Sequence, residues 1–281
     1  MPNALLKFSY NAPVPSVLTL VVGNKLRVKL EAIDKRQKLV AVSDIPHLLD
    51  VSGTHNSRAD SWAFVITAMR EGNAKLAIQV QQGAGAPMLT ITPPLVNITI
   101  KKQVSLPDAA SDVGMLVRLF LAEAPAPQTW PDTGVTDIED AKQGMRMMRR
   151  VLHNRLNSKK PQDFGAPNAR SITDIVRAST HGVQFLGFDQ YPKLGGGQEQ
   201  TINGVLALVN DATNLRWNAQ YTAFYNAALE VATENLAPDP SPTGLFGWRT
   251  ARSGAPSRDF SEFKTSGGNT FFTHAIQRIS Q

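Results

Sequence analysis

The sequence contains no cysteine, which excludes disulfide scaffolds, thiolate zinc sites and thiol nucleophiles. It also lacks a long apolar run. No window reaches the roughly 18 apolar residues of a membrane span, and the stretch from Met1 to Tyr10 has no basic head followed by an apolar core. The expectation is a protein made in the cytoplasm, with no membrane partner, that is exported by a route other than a standard signal peptide. His47, His55, His153, His181 and His274 form no His-x-x-x-His pair, so no metal or other cofactor is expected and zinc amidases and metallopeptidases drop out. No Gly-x-Ser-x-Gly nucleophile elbow is present. Gly195–Gly196–Gly197 is not followed by Gly-Lys-Ser/Thr, so it reads as a surface loop and not as a phosphate cradle.

What is present belongs to a folded chain. At 281 residues, with 42% hydrophobic and 19% charged residues, the sequence is long enough for two domains that each bury a core. Residues 1–105 hold 12 Lys and Arg against 6 Asp and Glu, whereas residues 106–281 hold 17 of each. The basic excess therefore sits wholly in the first part, where it can attract an anionic polymer or an acidic partner protein. It forms no tight basic run with interleaved aromatics, so nucleic acid is not expected as a partner.

Short alternating or β-branched runs between turn residues fill the first part: Ser16–Val22, Leu26–Ala32, Leu39–Ser43, Ala63–Met69, Lys75–Val80, Met88–Thr92 and Val96–Lys101. Turn signals lie at Gly23–Asn24, Glu71–Gly72–Asn73 and Gly83–Ala84–Gly85, and Trp62 suits a core anchor. This pattern predicts an immunoglobulin-like β-sandwich over residues 1–105. After Ser105–Leu106–Pro107–Asp108 helical periodicity takes over. Asp108 or Ser111 can cap a helix with Val113, Leu116, Val117, Phe120 and Leu121 on one face. A Pro-rich loop follows from Pro125 to Gly134. The next helix runs from Asp137 or Ile138 to about Leu156, burying Met145, Met148, Val151 and Leu152, with Arg146, Arg149 and Arg150 outward. Ser171 and Asp174 form a capping pattern for a short helix. Two further helices are expected at Gln200–Asp211 and Asn218–Asn235, the second ended by Pro238, Pro240 and Pro242. The tail mixes loops with one short strand at Asn269–Thr273. The fold class expected is α+β in two domains, with the sandwich followed by a mainly α-helical domain over 106–281.

The first helix ends Leu119–Phe120–Leu121–Ala122–Glu123–Ala124. A carboxyl group held against apolar neighbours has its charged form disfavoured, so it can keep a proton near neutral pH and act as a general acid. The ordinary alternative is a solvated charge at a helix end. Downstream come Gly144 with Val151–Leu152–His153–Asn154–Arg155–Leu156, then Ile172–Thr173–Asp174–Ile175–Val176, Gln184–Phe185, and Gly267–Gly268–Asn269–Thr270–Phe271–Phe272.

This order, over about residues 112–275, resembles the SleB-type cell wall hydrolases, in which an Asn-Arg pair falls ten residues after a helix glycine, as Asn154–Arg155 does after Gly144. The resemblance implies a lysozyme-like domain that cuts peptidoglycan glycan strands between N-acetylmuramic acid and N-acetylglucosamine, with Glu123 as catalytic acid. The chain departs from the pattern in three places. Pro125–Ala126–Pro127 replaces a Gly-Glu pair, the loop to Gly144 is longer, and Thr270 stands where the family has histidine. Glycosidic cleavage usually needs a second carboxylate. None is specified by motif, although Asp132, Asp137, Glu139 and Asp140 lie in the loop. A lytic transglycosylase manages with one acid, because the muramic acid's own hydroxyl attacks.

Among the supporting residues, Gly144 and Asn154 are candidates for structural support. Asn154 either holds the catalytic helix or ties its own helix end to a loop. Gln184 suits a hydrogen bond to an N-acetyl group, with Phe185 packing beneath. Tyr225, Trp248 and Asn269 complete the candidate sugar-binding set, the two aromatics being equally suited to packing. The implied partners are peptidoglycan and, for a type VI secretion effector acting in the periplasm or cell wall, a cognate immunity protein and a secretion-machine component that loads the basic domain. The alternatives are a phage-type lysin and an inactive protein that grips glycan or a partner without cutting.

Overall fold

The computed structural model describes residues 5–8, 12–31, 38–56, 61–81, 89–90, 96–179 and 183–274. Met88, Thr92, the Gly83–Ala84–Gly85 turn and His181 lie outside them. The chain divides into two compact units, Met1–Val104 with Asn210–Asn218, and Ser105–Val209 with Ala219–Gln281.

The first unit carries strands β1 (Leu5–Phe8), β2 (Val17–Val21), β3 (Lys25–Glu31), β4 (Lys38–Ser43), β5 (Leu49–Asn56), β6 (Ser61–Ala68), β7 (Gly72–Gln81), β8 (Leu89–Thr90) and β9 (Val96–Lys101). One sheet has the order β1-β3-β6-β5; the other runs β2-β9-β7-β4, with β8 also on β7. All described pairings are antiparallel except β2 with β9, which is parallel. Strict alternation explains the arrangement. In β9, Val96, Ile98 and Ile100 are buried while Asn97, Thr99 and Lys101 are exposed, because successive side chains of a strand point to opposite faces. The apolar rows of both sheets form one core, including Leu20, Leu30, Leu49, Ile66, Leu76 and Ile78. Trp62 is partly buried against it, its ring 6.4 Å from Phe64.

Residues 210–218 join this unit through two asparagines. The Asn210 amide accepts from the Val104 backbone N–H at 2.7 Å and donates to its carbonyl at 2.9 Å. Asn24 Nδ2 donates to the Asn210 carbonyl at 2.7 Å, and Asn24 Oδ1 accepts from the Ala212 N–H at 3.0 Å.

In the second unit, α1 (Asp112–Glu123) is capped by Ser111, whose hydroxyl accepts from the Gly114 N–H. The Pro-rich loop contains a short helix, α2 (Trp130–Thr133). α3 (Ile138–Leu156) starts at its Asp137 cap and buries Met145, Met148, Val151 and Leu152 as the periodicity predicts. Arg146 and Arg149 are turned inward more than expected. Arg146 pairs with Glu234 at 2.8 Å, and Arg149 donates to the Val231 and Glu234 carbonyls, closing the C-terminal end of α6 (Asn218–Thr233). α4 (Ile172–Val176) has the capping box formed by Ser171 and Asp174, and α5 spans Gly196–Asn210.

Strands β10 (Leu245–Thr250), β11 (Phe260–Ser266) and β12 (Asn269–His274) form an antiparallel sheet in the order β10-β12-β11. This sheet corrects the expected fold class. An immunoglobulin-like sandwich followed by a mainly α-helical lysozyme-like domain does not describe the chain, because the strands of the described residues are spread over three sheets and the second unit combines helices with its own sheet. The reason is local. Register irregularities between Leu245 and Gly247 and between Glu262 and Lys264 break the period of two, and a glycine inside β10 weakens its strand signal.

Candidate functional site

Glu123 is the last residue of α1, and the Ala124 N–H that follows closes the helix on the Phe120 carbonyl. The buried face of α1, including Leu119, Phe120 and Leu121, holds the helix end in the unit's interior and leaves the Glu123 carboxyl partly buried. Burial pushes that carboxyl above the usual glutamate range, and a hydrogen bond from the Trp248 side chain offsets part of the rise. An indole only donates, so Trp248 offers its N–H to the carboxyl. The result is an acid that holds its proton to higher pH than a solvated glutamate, with a fixed donor orienting it.

A chain of rings and one cation supports Trp248. The Phe185 ring lies 5.1 Å from it. The Arg155 guanidinium lies 5.5 Å from the Phe185 centroid and 5.2 Å from that of Phe164. Arg155 is buried at 8% exposure, donates to the Phe246 carbonyl at 2.7 Å and lies 3.4 Å from Gln184 Oε1. Burial lowers its pKa to about 10, which leaves it charged at neutral pH. One helical position earlier, Asn154 donates to the Asp239 carboxylate and to the Leu245 carbonyl at 2.8 Å. Asp239 also accepts from the Leu245 and Ser241 N–H groups. Asn154 therefore ties the end of α3 to the start of β10, the strand that carries Trp248.

Gly144 sits where α3 meets the β11–β12 hairpin. A Cβ there would lie 3.0 Å from the Gly267 Cα and 3.3 Å from the Ser266 carbonyl oxygen, so the absence of a side chain at Gly144 lets the hairpin approach without displacing backbone. The hairpin turns through Gly267 and Gly268, with φ of 56° and 73°, the two positive angles of a type I′ turn. Asp140 anchors it, its Oδ1 accepting from the Gly267 N–H at 2.8 Å and the Ser266 hydroxyl at 3.0 Å. Pro125, two residues past Glu123, lies against Gly268.

The structure thus links Glu123 to Trp248, Trp248 to Phe185, and Phe185 and Gln184 to Arg155, while Asn154 fastens the strand that carries Trp248. Asn269 is buried at 3% exposure and donates to the Gly267 carbonyl, which makes it part of the hairpin. Tyr225 is buried, its hydroxyl donating to the Ser105 carbonyl at 2.9 Å, so it presents no open ring face for a sugar. The loop acids have other partners: Asp137 caps α3, Glu139 pairs with Lys142 at 3.3 Å and Asp140 holds the hairpin. Asp132 is exposed on α2. A cleft of about 560 Å³ beside the hairpin is lined by Thr133, Arg252, Glu262, Thr265 and Thr270 among others. Among the described residues no group of three or more acidic or histidine side chains is placed to hold a metal ion, and no helix is long and apolar enough to cross a membrane. Sequence reasoning missed the role of Arg155. Its signal was an arginine in the apolar register of α3, four residues after Val151.

No protein-family model and no curated protein matches the chain. Among solved structures it is similar to parts of the S-layer protein SbsC. Domains 4 and 5 align at 14% identity over 35% of this chain and 54% of that one, with a TM-score of 0.22. Domains 5–6 align at 14% identity over 38% and 49%, with a TM-score of 0.24. The chain spans about half the length of these structures, and scores this low do not establish a shared fold.

Replacing Arg155 with methionine is expected to destabilise the second unit by about 3 kcal/mol, since the Phe246 carbonyl loses its donor and two ring contacts disappear. Lysine is expected to restore only part of this, because it lacks the planar fork that stacks on both rings. Urea denaturation followed by tryptophan fluorescence checks both variants.

Proposed function

We propose that the second unit cleaves peptidoglycan glycan strands between N-acetylmuramic acid and N-acetylglucosamine, with Glu123 as proton donor. The observation that carries this reading is the partly buried Glu123 carboxyl, raised in pKa and oriented by Trp248. The resemblance of the residue order to SleB-type cell wall hydrolases supplies the substrate class.

Protonated Glu123 gives its proton to the glycosidic oxygen as the bond from that oxygen to C1 of the muramic acid breaks. In the one-acid route the C6 hydroxyl of the same sugar forms the new bond to C1 and yields a 1,6-anhydro product, while its proton returns to the Glu123 carboxylate. The structural duties of Asp137, Glu139 and Asp140 favour this route over one that draws a second carboxylate from the loop. Because the polymer lies outside the cytoplasmic membrane, the reading entails delivery to the periplasm or cell wall. We place the protein as an antibacterial secreted effector, partnered by an immunity protein and a secretion component, ahead of a phage-type lysin.

Digestion of purified sacculi by the wild type and by Glu123→Gln, with mass spectrometry of soluble products, tests the proposal. Anhydro-muropeptides from the wild type alone are the expected result. Reducing-end muropeptides would replace the one-acid route with hydrolysis by water. Sacculi that bind both proteins and release nothing would mean a glycan-binding protein without activity.

A further inference from the structure

A second cavity, of about 800 Å³, opens beyond the C-terminal end of α3. Its floor is aromatic. The Phe164 and Phe246 rings stack at 5.4 Å and 2°, His274 stands edge-on to them at 5.7 and 5.4 Å, and Phe260 lies 4.8 Å from His274. Its mouth carries charges of both signs, Lys159 and Lys160 with Asp163 and Asp259, all exposed. An apolar floor here lies beneath cations and anions that have no ion-pair partner among the described residues. It suits a short peptide that bears carboxylates, a free ammonium group and small apolar side chains.

The cavity and the acid site share strand β10. Phe246 on its floor and Trp248, which donates to Glu123, are two residues apart on β10, about 7 Å along the strand. Arg155 joins the two places from behind, lying against Phe164 of the floor and Phe185 of the acid site. In peptidoglycan the muramic acid at the scissile bond carries the stem peptide, and four extended residues reach about 13 Å.

The geometry points to this cavity as the seat of the stem peptide on the muramic acid flanking the cut. Lys159 and Lys160 receive its carboxylates, Asp163 and Asp259 its ammonium group, and the rings its methyl groups. The protein is then selective for glycan that still bears peptide. This inference rests on the glycan-cleaving reading of the second unit, and two measurements separate them.

The first measurement is calorimetric binding of the tetrapeptide L-alanyl-γ-D-glutamyl-meso-diaminopimelyl-D-alanine to the full chain and to its Lys159→Glu/Lys160→Glu variant. Saturable binding, weakened tenfold or more in the variant, is expected. No binding, or equal binding by both proteins, overturns the inference. The second measurement compares cutting of peptide-bearing strands with cutting of strands stripped by an amidase. The wild type is expected to prefer the former at least tenfold, with the ratio falling toward one in the variant; equal rates for the wild type also overturn it. If the tetrapeptide binds as expected and neither strand is cut, the glycosidase reading fails and the peptide site stands.

Discussion

Gly114→Ala is expected to destabilise the second unit by about 3 kcal/mol, although alanine is the better helix former by about 1 kcal/mol. The sign comes from the first turn of α1. A Cβ at position 114 would lie 1.8 Å from the Asp108 carbonyl oxygen and 2.6 Å from its carbon, which is backbone and cannot swing aside as a side chain would. That carbonyl accepts from both the N–H and the hydroxyl of Ser111, at 3.1 and 2.7 Å, and the Ser111 hydroxyl accepts from Gly114 itself at 2.9 Å. Moving Asp108 away therefore loosens the cap along with the loop. Arg118, which donates to the carbonyls of Pro107 and Gly114, loses its geometry as well. A drop in Tm of roughly 6–12 °C follows for a unit of this size, measurable by calorimetry. An unchanged or raised Tm would mean that the turn before α1 is free to relax.

Glu123→Gln is expected to lower the rate of glycan cleavage by roughly 10²- to 10⁴-fold, the usual contribution of a positioned acid, while binding to sacculi persists. The active form is the protonated one, so wild-type activity falls as pH rises through the Glu123 pKa, which burial holds above the ordinary value of 4.5. Trp248→Phe removes a donor that favours the ionised form, so it moves this alkaline limb to higher pH even as the rate drops. Stability follows the same linkage. With the folded pKa above the unfolded one, the stabilising effect of the proton is complete below about pH 4.5 and is lost as pH rises through the folded value. At neutral pH the wild type therefore carries a cost that Glu123→Gln lacks. The variant is expected to melt above the wild type at pH 7, and the gap is expected to close below about pH 4. A gap that persists at low pH would show that ionisation of Glu123 is not its origin.

Local chemistry was legible in the sequence where it is decided locally. The 3.6-residue period and the Asp137 cap gave α3 its bounds of Ile138–Leu156, and Ser171 with Asp174 announced α4. The third sheet was not legible. β10 and β11 contain register irregularities and a glycine, so a pattern of period two fails there. β5 was hidden for a related reason: Asp50, Gly53 and Asn56 are poor strand formers, yet Gly53 faces Phe64 in register on β6, where the Phe64 ring fills the space a side chain would take. Glu123 could be singled out because its apolar helix is local. Its donor Trp248 comes from a strand far along the chain, and nothing in either segment states their pairing. Arg155 was obscured because a cation in the apolar row of a helix looks like an outward residue until two phenyl rings and a carbonyl are placed around it.

The return of residues 210–218 to the first unit bears on heredity as well as on folding. A module encoded by one uninterrupted stretch of gene can be shuffled between proteins by a single crossover at each end. Here the nine residues from Asn210 to Asn218 are encoded within the reading frame of the second unit, yet Asn24 and Val104 hold them to the first. A recombinant that exchanged residues 1–104 alone would leave the Asn210 amide and the Ala212 N–H facing foreign partners. The first unit is thus expected to travel with the second, and its sequence to drift in step with a loop lying more than a hundred residues downstream.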